Sequence, residues 1–167
     1  MRALSGKEKN ELLYDIADAL TACADRIEAA NLIDIENAQA NGIKKAMVDR
    51  LRFGRERIEA SAEAVRHIAS LTDPIGEGSR TVRPNGLVIE HIRVPIGCVG
   101  MIYEARPNVT VDAAALCLKT GNTAVLRGGK EAINTNLATV AIIKEVLRGR
   151  GVDARAVSLI ESTERES

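Results

Sequence analysis

Two short segments of this 167-residue sequence combine charged side chains, an amide and glycines at spacings that suit anion chemistry. The first reads Glu104-Ala105-Arg106-Pro107-Asn108 and leads directly into an apolar run of helical character. A helix start leaves backbone N–H groups without intrahelical partners and carries the positive end of the dipole, so an anion is favoured there. Arg106 adds a planar, forked donor matched to phosphate or carboxylate, and Asn108 adds a neutral amide suited to a developing oxyanion. A purely structural reading stands beside this one, in which Asn108 or Thr110 caps the helix and Arg106 pairs with Glu104 or Asp112.

The second segment is Arg127-Gly128-Gly129-Lys130-Glu131. Its two glycines would let the backbone approach a ligand closely, Glu131 is placed to accept from ribose hydroxyls, and Arg127 or Lys130 would meet a nucleotide phosphate. The segment is not the Gly-x-Gly-x-x-Gly fingerprint, and a Gly-Gly pair between strand and helix also serves as plain turn chemistry. The three cysteines are an odd number, widely spaced, with no Cys-x-x-Cys pair, which points to neither disulfides nor zinc. Cys23 falls on an apolar helical stripe, Cys98 in a strand expected to be buried, and Cys117 in a nearly all-apolar helix, so each reads as a small core residue. His67 and His91 are isolated, and no metal site is expected.

The elements that position these segments follow from periodicity. Ser5 and Glu8 have the form of a capping box, and Leu12, Ile16, Leu20, Cys23 and Ile27 then repeat at helical spacing, predicting one long helix broken near Asn31. Asn41-Gly42 reads as a stop, and Ile58, Ala62, Val65 and Ile68 predict a second helix that Pro74 ends. Residues 80–83 and 87–94 flank Pro84-Asn85-Gly86 as the arms of a β-hairpin. From residue 98 the order is strand (98–103, expected buried on both faces), buried helix (109–118), strand (123–126), helix with Ile133, Leu137, Val140, Ile143 and Leu147 on one stripe, and strand (156–160). Strand, helix, strand, helix, strand demands right-handed crossovers and a parallel α/β sheet, whose ligands lie beyond the carboxyl ends of its strands.

Composition narrows the partners. Lys plus Arg equals Asp plus Glu at 23 each, and aromatic residues make up 2% of the chain, so neither polyanion attraction nor base stacking is indicated and nucleic acid is excluded as a partner. Apolar stretches are interrupted before the roughly 20 residues that a membrane span needs. The first ten residues carry Lys and Glu where a secretory signal would be apolar, so a cytoplasmic location is expected.

Residues 94–136, VPIGCVGMIYEARPNVTVDAAALCLKTGNTAVLRGGKEAINTN, closely resemble the signature region of the gamma-glutamyl phosphate reductase (glutamate-5-semialdehyde dehydrogenase) family. KEKN from Lys7, IADAL from Ile16, DRL from Asp49 and DPIG from Asp73 agree with it, so the resemblance covers essentially the whole chain. It implies an aldehyde-dehydrogenase-like fold: a partial Rossmann-like parallel sheet in residues 96–167, preceded by a helical segment (1–78) and a hairpin (79–95) that serves oligomerisation. It also implies an NADP-dependent oxidoreductase of proline biosynthesis that reduces L-glutamate 5-phosphate to L-glutamate 5-semialdehyde, a homo-oligomer at full length, and association with glutamate 5-kinase. On this resemblance Arg127, Gly128, Gly129, Lys130 and Glu131 bind NADPH, with Arg127 or Lys130 on the 2′-phosphate, and Arg106 and Asn108 fall near the oxyanion asparagine of the superfamily. The family's nucleophilic cysteine lies further along and has no counterpart here. The chain is therefore expected to be an inactive amino-terminal fragment, and a non-catalytic nucleotide-binding or complementing module is the alternative. An open last strand would also make it self-associate.

Overall fold

The computed structural model describes residues 4–162; residues 1–3 and 163–167, at the two ends of the segments assigned above, lie outside the described residues. Helix α1 (Gly6–Ala22) opens on the capping box, with the Glu8 amide donating to Ser5 Oγ and the Ser5 amide donating to the Glu8 carboxylate. The break after it falls at Cys23, and α2 runs on without interruption over Ala24–Ala40. A break near Asn31 is thus overturned. Leu20 and Ile27 are both buried across the joint, so the apolar repeat continues through a bend that leaves no mark on periodicity.

Asn41 closes α2 and Gly42 follows at φ 68°, the left-handed conformation that glycine adopts freely. A short helix that periodicity did not register, α3 (Lys45–Leu51), comes next and buries only Val48 and Leu51. Two turns are too few for a 3.6-residue pattern to stand out. Helix α4 (Arg55–Ser70) then packs along α1 with Ile58, Ala62 and Val65 inside.

Strands β1 (Gly78–Val82) and β2 (Val88–Ile92) pair antiparallel as an arm of almost wholly exposed residues. The Gly86 amide donates to Arg83 O and Gly86 has φ 85°, so the loop is a Pro84-Asn85 turn followed by a left-handed glycine, the usual three-residue hairpin. The hairpin root is pinned by Lys9, whose Nζ lies 2.5 Å from Asp73. Burial alone would raise the Asp73 pKa, but Lys9, the Ile75 amide and Lys119 together bring it below the usual carboxylate range.

Strands β3 (Cys98–Ile102), β4 (Thr123–Arg127) and β5 (Val157–Leu159) form a parallel sheet in the order β3-β4-β5. Helices α5 (Pro107–Lys119) and α6 (Ile133–Gly149) make the crossovers. One core joins α1, α4, α5, α6 and the inner face of the sheet, with Leu13, Ile16, Val65, Leu118, Leu126 and Ile143 fully enclosed. Two expectations fail here. β3 alternates between exposed and half-buried positions, Cys98 and Ile102 facing out and Ile102 81% exposed, because the described helices cover one side of the sheet. The buried stripe of α6 is rotated: Ile133 and Leu137 are half-buried, while Thr135, Asn136 and Thr139 are enclosed with Val140, Ile143 and Leu147. Polar side chains occupy that inner face because they have buried partners, described below.

Candidate functional site

The β3–β4 register sets Ile102 opposite Arg127, and the Tyr103 amide extends the ladder by donating to Arg127 O at 3.0 Å. The loops that follow Tyr103 and Arg127 therefore leave the sheet at one level, side by side on its carboxyl rim. Ile160 N donates to Leu126 O at 2.8 Å and brings the end of β5 to the same rim.

The two glycines are hemmed in by the first loop. A Cβ on Gly128 would collide with the Asn136 amide and the Tyr103 ring, and one on Gly129 would lie 2.8 Å from the Ala105 backbone nitrogen. They are glycines because the second loop lies flat on the first. Gly128→Ala is accordingly expected to lower stability by about 1–3 kcal/mol, read as a fall in the thermal unfolding midpoint by circular dichroism. Gly149→Ala, with open space around it, should leave the midpoint unchanged or slightly raised; equal effects at both positions would refute the steric account.

Beneath the loops runs a buried polar chain. Tyr103 Oη and Thr110 Oγ1 share a hydrogen bond of 2.6 Å, and Thr110 Oγ1 donates to Asn136 Oδ1 at 2.7 Å. Burial pushes the Tyr103 phenol up, against a smaller opposing effect of its bond to Thr110. Asn136 Nδ2 has no partner among the described residues and rests against Gly128. One residue from the end of β3, one from the first turn of α5 and one from the first turn of α6 thus bracket both loops from inside.

A second support comes from α2. The buried Asp34 carboxylate accepts from the backbone amides of Asn134 and Thr135, at 3.2 and 2.8 Å, and from the Asn134 and Thr135 side chains at 2.8 and 2.5 Å. Ala132, the residue before α6, supplies no side-chain cap, so Asp34 performs that function from a hundred residues away. Asn31 Nδ2 donates to Leu51 O and Thr135 Oγ1, and Asn31 Oδ1 accepts from the Phe53 amide at 2.8 Å. This ties α3 and the start of α6 to one helix.

Arg106 is exposed at the start of α5, where no side chain caps the helix. Asn108 donates to Asp112 Oδ2 at 3.2 Å, Thr110 is engaged by Tyr103 and Asn136, and Arg106 has no ion pair with Glu104 or Asp112 among the described residues. The capping and ion-pair alternatives are therefore not what these side chains do. Burial raises the Asp112 pKa, with Asn108 acting in the opposite direction. Arg127 ends β4 half-buried, Gly128 and Gly129 follow, and Lys130 and Glu131 lie in a 3-10 turn with Lys130 exposed.

Arg50, Glu104, Arg106, Gly129 and Glu131 line one cavity of about 340 Å³, so the two loops are brought together with α3. Arg50, Asn31, Asp34 and Asn136 were not found from the sequence. The one signal for the last was the polar trio Thr135, Asn136 and Thr139 on what should be an apolar face. Of the cysteines, Cys117 is buried and its thiol is pushed up by burial and then by Cys98; Cys23 is the joint between α1 and α2; and Cys98 is exposed, contrary to expectation. Among the described residues no group of three or more metal-ligating side chains converges, and no helix is long and apolar enough to cross a membrane.

A three-stranded parallel sheet with helical crossovers, and with its polar loops collected at the carboxyl rim, defines an α/β protein of the Rossmann-like class. The model of the aldehyde dehydrogenase family matches residues 1–167, and the chain belongs to that family. It is 51% identical to a gamma-glutamyl phosphate reductase of Erwinia tasmaniensis over 99% of its own length and 40% of that relative. The crystal structure of gamma-glutamyl phosphate reductase from Thermotoga maritima superposes with a TM-score of 0.94 at 43% identity, again over 99% of this chain and 40% of that one. PnpE in complex with nicotinamide adenine dinucleotide shares the fold at a TM-score of 0.70 and 22% identity, over 95% of this chain and 30% of that one. The chain spans about 40% of the length of the curated relatives it matches.

Proposed function

We propose that this chain supplies the cofactor loop and part of the substrate rim of a gamma-glutamyl phosphate reductase. The reaction is the NADPH-dependent reduction of L-glutamate 5-phosphate to L-glutamate 5-semialdehyde with release of phosphate, a step of proline biosynthesis. The observation that carries this reading is the meeting of Arg106 with Gly129 and Glu131 on a single cavity, in a chain half identical to proteins of that name. The Glu131 carboxylate suits ribose hydroxyls, and the cationic side chains of Arg127 and Lys130 suit a 2′-phosphate, the feature that separates NADPH from NADH. When bound, the dinucleotide supplies hydride. The uncapped first turn of α5 and Arg106 stabilise negative charge on the acceptor, and Asn108, held by Asp112, offers its amide to the carbonyl oxygen as charge develops there.

Cys117 is enclosed, Cys98 stands on the open side of the sheet, and Cys23 lies between two helices beside Arg26; none of the three lines the two cavities at the rim. On this reading the attacking sulfur is none of Cys23, Cys98 and Cys117. The exposed Val82, Leu87 and Ile92 of the hairpin suit a contact with another subunit. The test is NADP reduction in the presence of L-glutamate 5-semialdehyde and phosphate. The chain alone should give none, and mixing it with the complementary part of the Thermotoga relative should restore it. In that mixture Glu131→Gln should raise the KM for NADP about tenfold with little change in kcat. Turnover by this chain alone would overturn the assignment of the nucleophile, and an unchanged KM would overturn the role of Glu131.

A further inference from the structure

Helix α3 brings an arginine to the rim that neither of the two loop segments contains. Arg50 lies in the last turn of α3 and lines the 340 Å³ cavity beside Gly129 and Glu131. It also lines a second cavity of about 540 Å³ on the other side, between the α3–α4 connection and the start of α5, together with Asp49, Arg52, Arg57, Arg106 and Asn108. Arg50 and Arg106 are the two residues common to both cavities. They form the partition between the cofactor-loop side and the cleft that holds Asn108.

The charge of the larger cavity is unbalanced, while Glu104 and Glu131 line the smaller one with Arg50 and Arg106. The larger cavity is lined by four arginines against two aspartates, Asp49 and Asp112. The aspartates are already engaged: Arg52 and Arg57 each lie 3.9 Å from Asp49, and Asp112 accepts from Asn108. Arg57 also donates to the carbonyls of Asp49 and Arg52, at 3.0 and 2.7 Å, which fixes the α3–α4 connection. Arg50 and Arg106 have no carboxylate partner among the described residues, and the first turn of α5, which opens at Arg106, has no side-chain cap. Guanidinium groups collected on one ridge repel each other unless an anion lies between them.

We infer that Arg50 acts with Arg106 as the receptor for an oxyanion group of the acyl-phosphate substrate, gripping it on the partition between the two cavities. This inference deepens the proposed function and rests on it for the identity of the substrate. A phosphate and a carboxylate present the same forked acceptor to a guanidinium, so the chemistry recognised is the oxyanion. The position explains why an arginine is needed on α3. The cofactor lies on the Glu131 side, the carbonyl amide on the Asn108 side, and the anion is held where the two sides meet.

The experiment follows the arginine Nε–Hε resonances of the whole chain by NMR while inorganic phosphate, glutarate or NADPH is added, in the parent and in Arg50→Gln, Arg50→Lys and Arg26→Gln. Arg26 pairs with Glu145 on the far side of the bundle and reports general screening. Phosphate or glutarate should shift Arg50 and Arg106 together, and Arg50→Gln should weaken that anion at least about tenfold. Arg50→Lys should recover only part of the loss, and Arg26→Gln none of the effect. A response to phosphate assigns the ridge to the acyl phosphate, and a response to glutarate alone assigns it to the substrate carboxylate. Affinity in Arg50→Gln within twofold of the parent, an equal loss in Arg26→Gln, or no shift of Arg50 with either small anion overturns the inference. NADPH reports separately: if it fails to bind while phosphate still shifts Arg50, the cofactor reading falls and the oxyanion receptor stands.

Discussion

Asp34→Ala is expected to cost about 3 kcal/mol of stability and to unlock the second loop before the rest of the molecule unfolds. Asp34 is 2% exposed, and its carboxylate serves two backbone amides and two side chains at the start of α6. Removing it strands those amides in the interior, where each unsatisfied donor costs about 1–3 kcal/mol, and withdraws a negative charge from the positive end of a 17-residue helix. Asp34→Asn keeps one acceptor oxygen and should lie between the two. With two tyrosines and no tryptophan, the chain is best followed by far-ultraviolet circular dichroism in urea. Hydrogen exchange should show lost protection at residues 128–136 ahead of α1 and α4. A variant as stable as the parent, or one that loosens uniformly, would show that the α2 carboxylate does not anchor the loop.

The second large effect is expected at the opposite pole of another helix. Lys119 is 3% exposed, and its Nζ donates to Asn10 Oδ1 at 2.7 Å, Ala69 O at 2.9 Å and Leu71 O at 2.5 Å. The two carbonyls belong to the end of α4, so the ammonium satisfies terminal acceptors and places positive charge at the negative end of the dipole. Burial lowers the Lys119 pKa, partly offset by Asp73 and reinforced by Lys9. Lys119→Met keeps the length of the side chain and removes the donors. It should cost about 2–4 kcal/mol, because the carbonyls stay behind without partners. Replacing a buried charge together with all its partners is often harmless, but backbone carbonyls cannot be replaced. An unfolding midpoint shifted by less than the error of the Asn10→Ala control would refute the capping role.

These two residues share a logic that bears on function. α1, α2 and α4 lie outside the parallel sheet, yet they hold the ends of the elements that carry the rim: Asp34 holds the start of α6 and Asn31 ties it to α3. Lys119 joins the end of α5 to α1 and α4. The helical half of the chain thus sets where the loops stand.

Periodicity and turn chemistry determined a good deal from the sequence alone. The capping box at Ser5, the stop at Gly42, the hairpin around Gly86 and the buried α5 rest on local rules, in which a residue's neighbours in sequence are its neighbours in space, and the parallel sheet follows from the alternation of strands and helices. The resemblance of residues 94–136 marked both loops of the rim for the same reason, since each loop is one contiguous stretch. What only the tertiary structure decided lies between distant segments. The bend at Cys23 leaves the apolar repeat intact, and α3 is too short to repeat at all. The polar inner face of α6 makes sense only once Asp34, Asn31 and Thr110 are seen to meet it, and Gly128 is a glycine because Asn136 and Tyr103 fill the space of its side chain. Arg50 belongs to the rim through a contact of elements more than fifty residues apart. A hydrogen bond or a steric limit between remote residues depends on the packing of the whole chain, and that packing is not written in any window of its sequence.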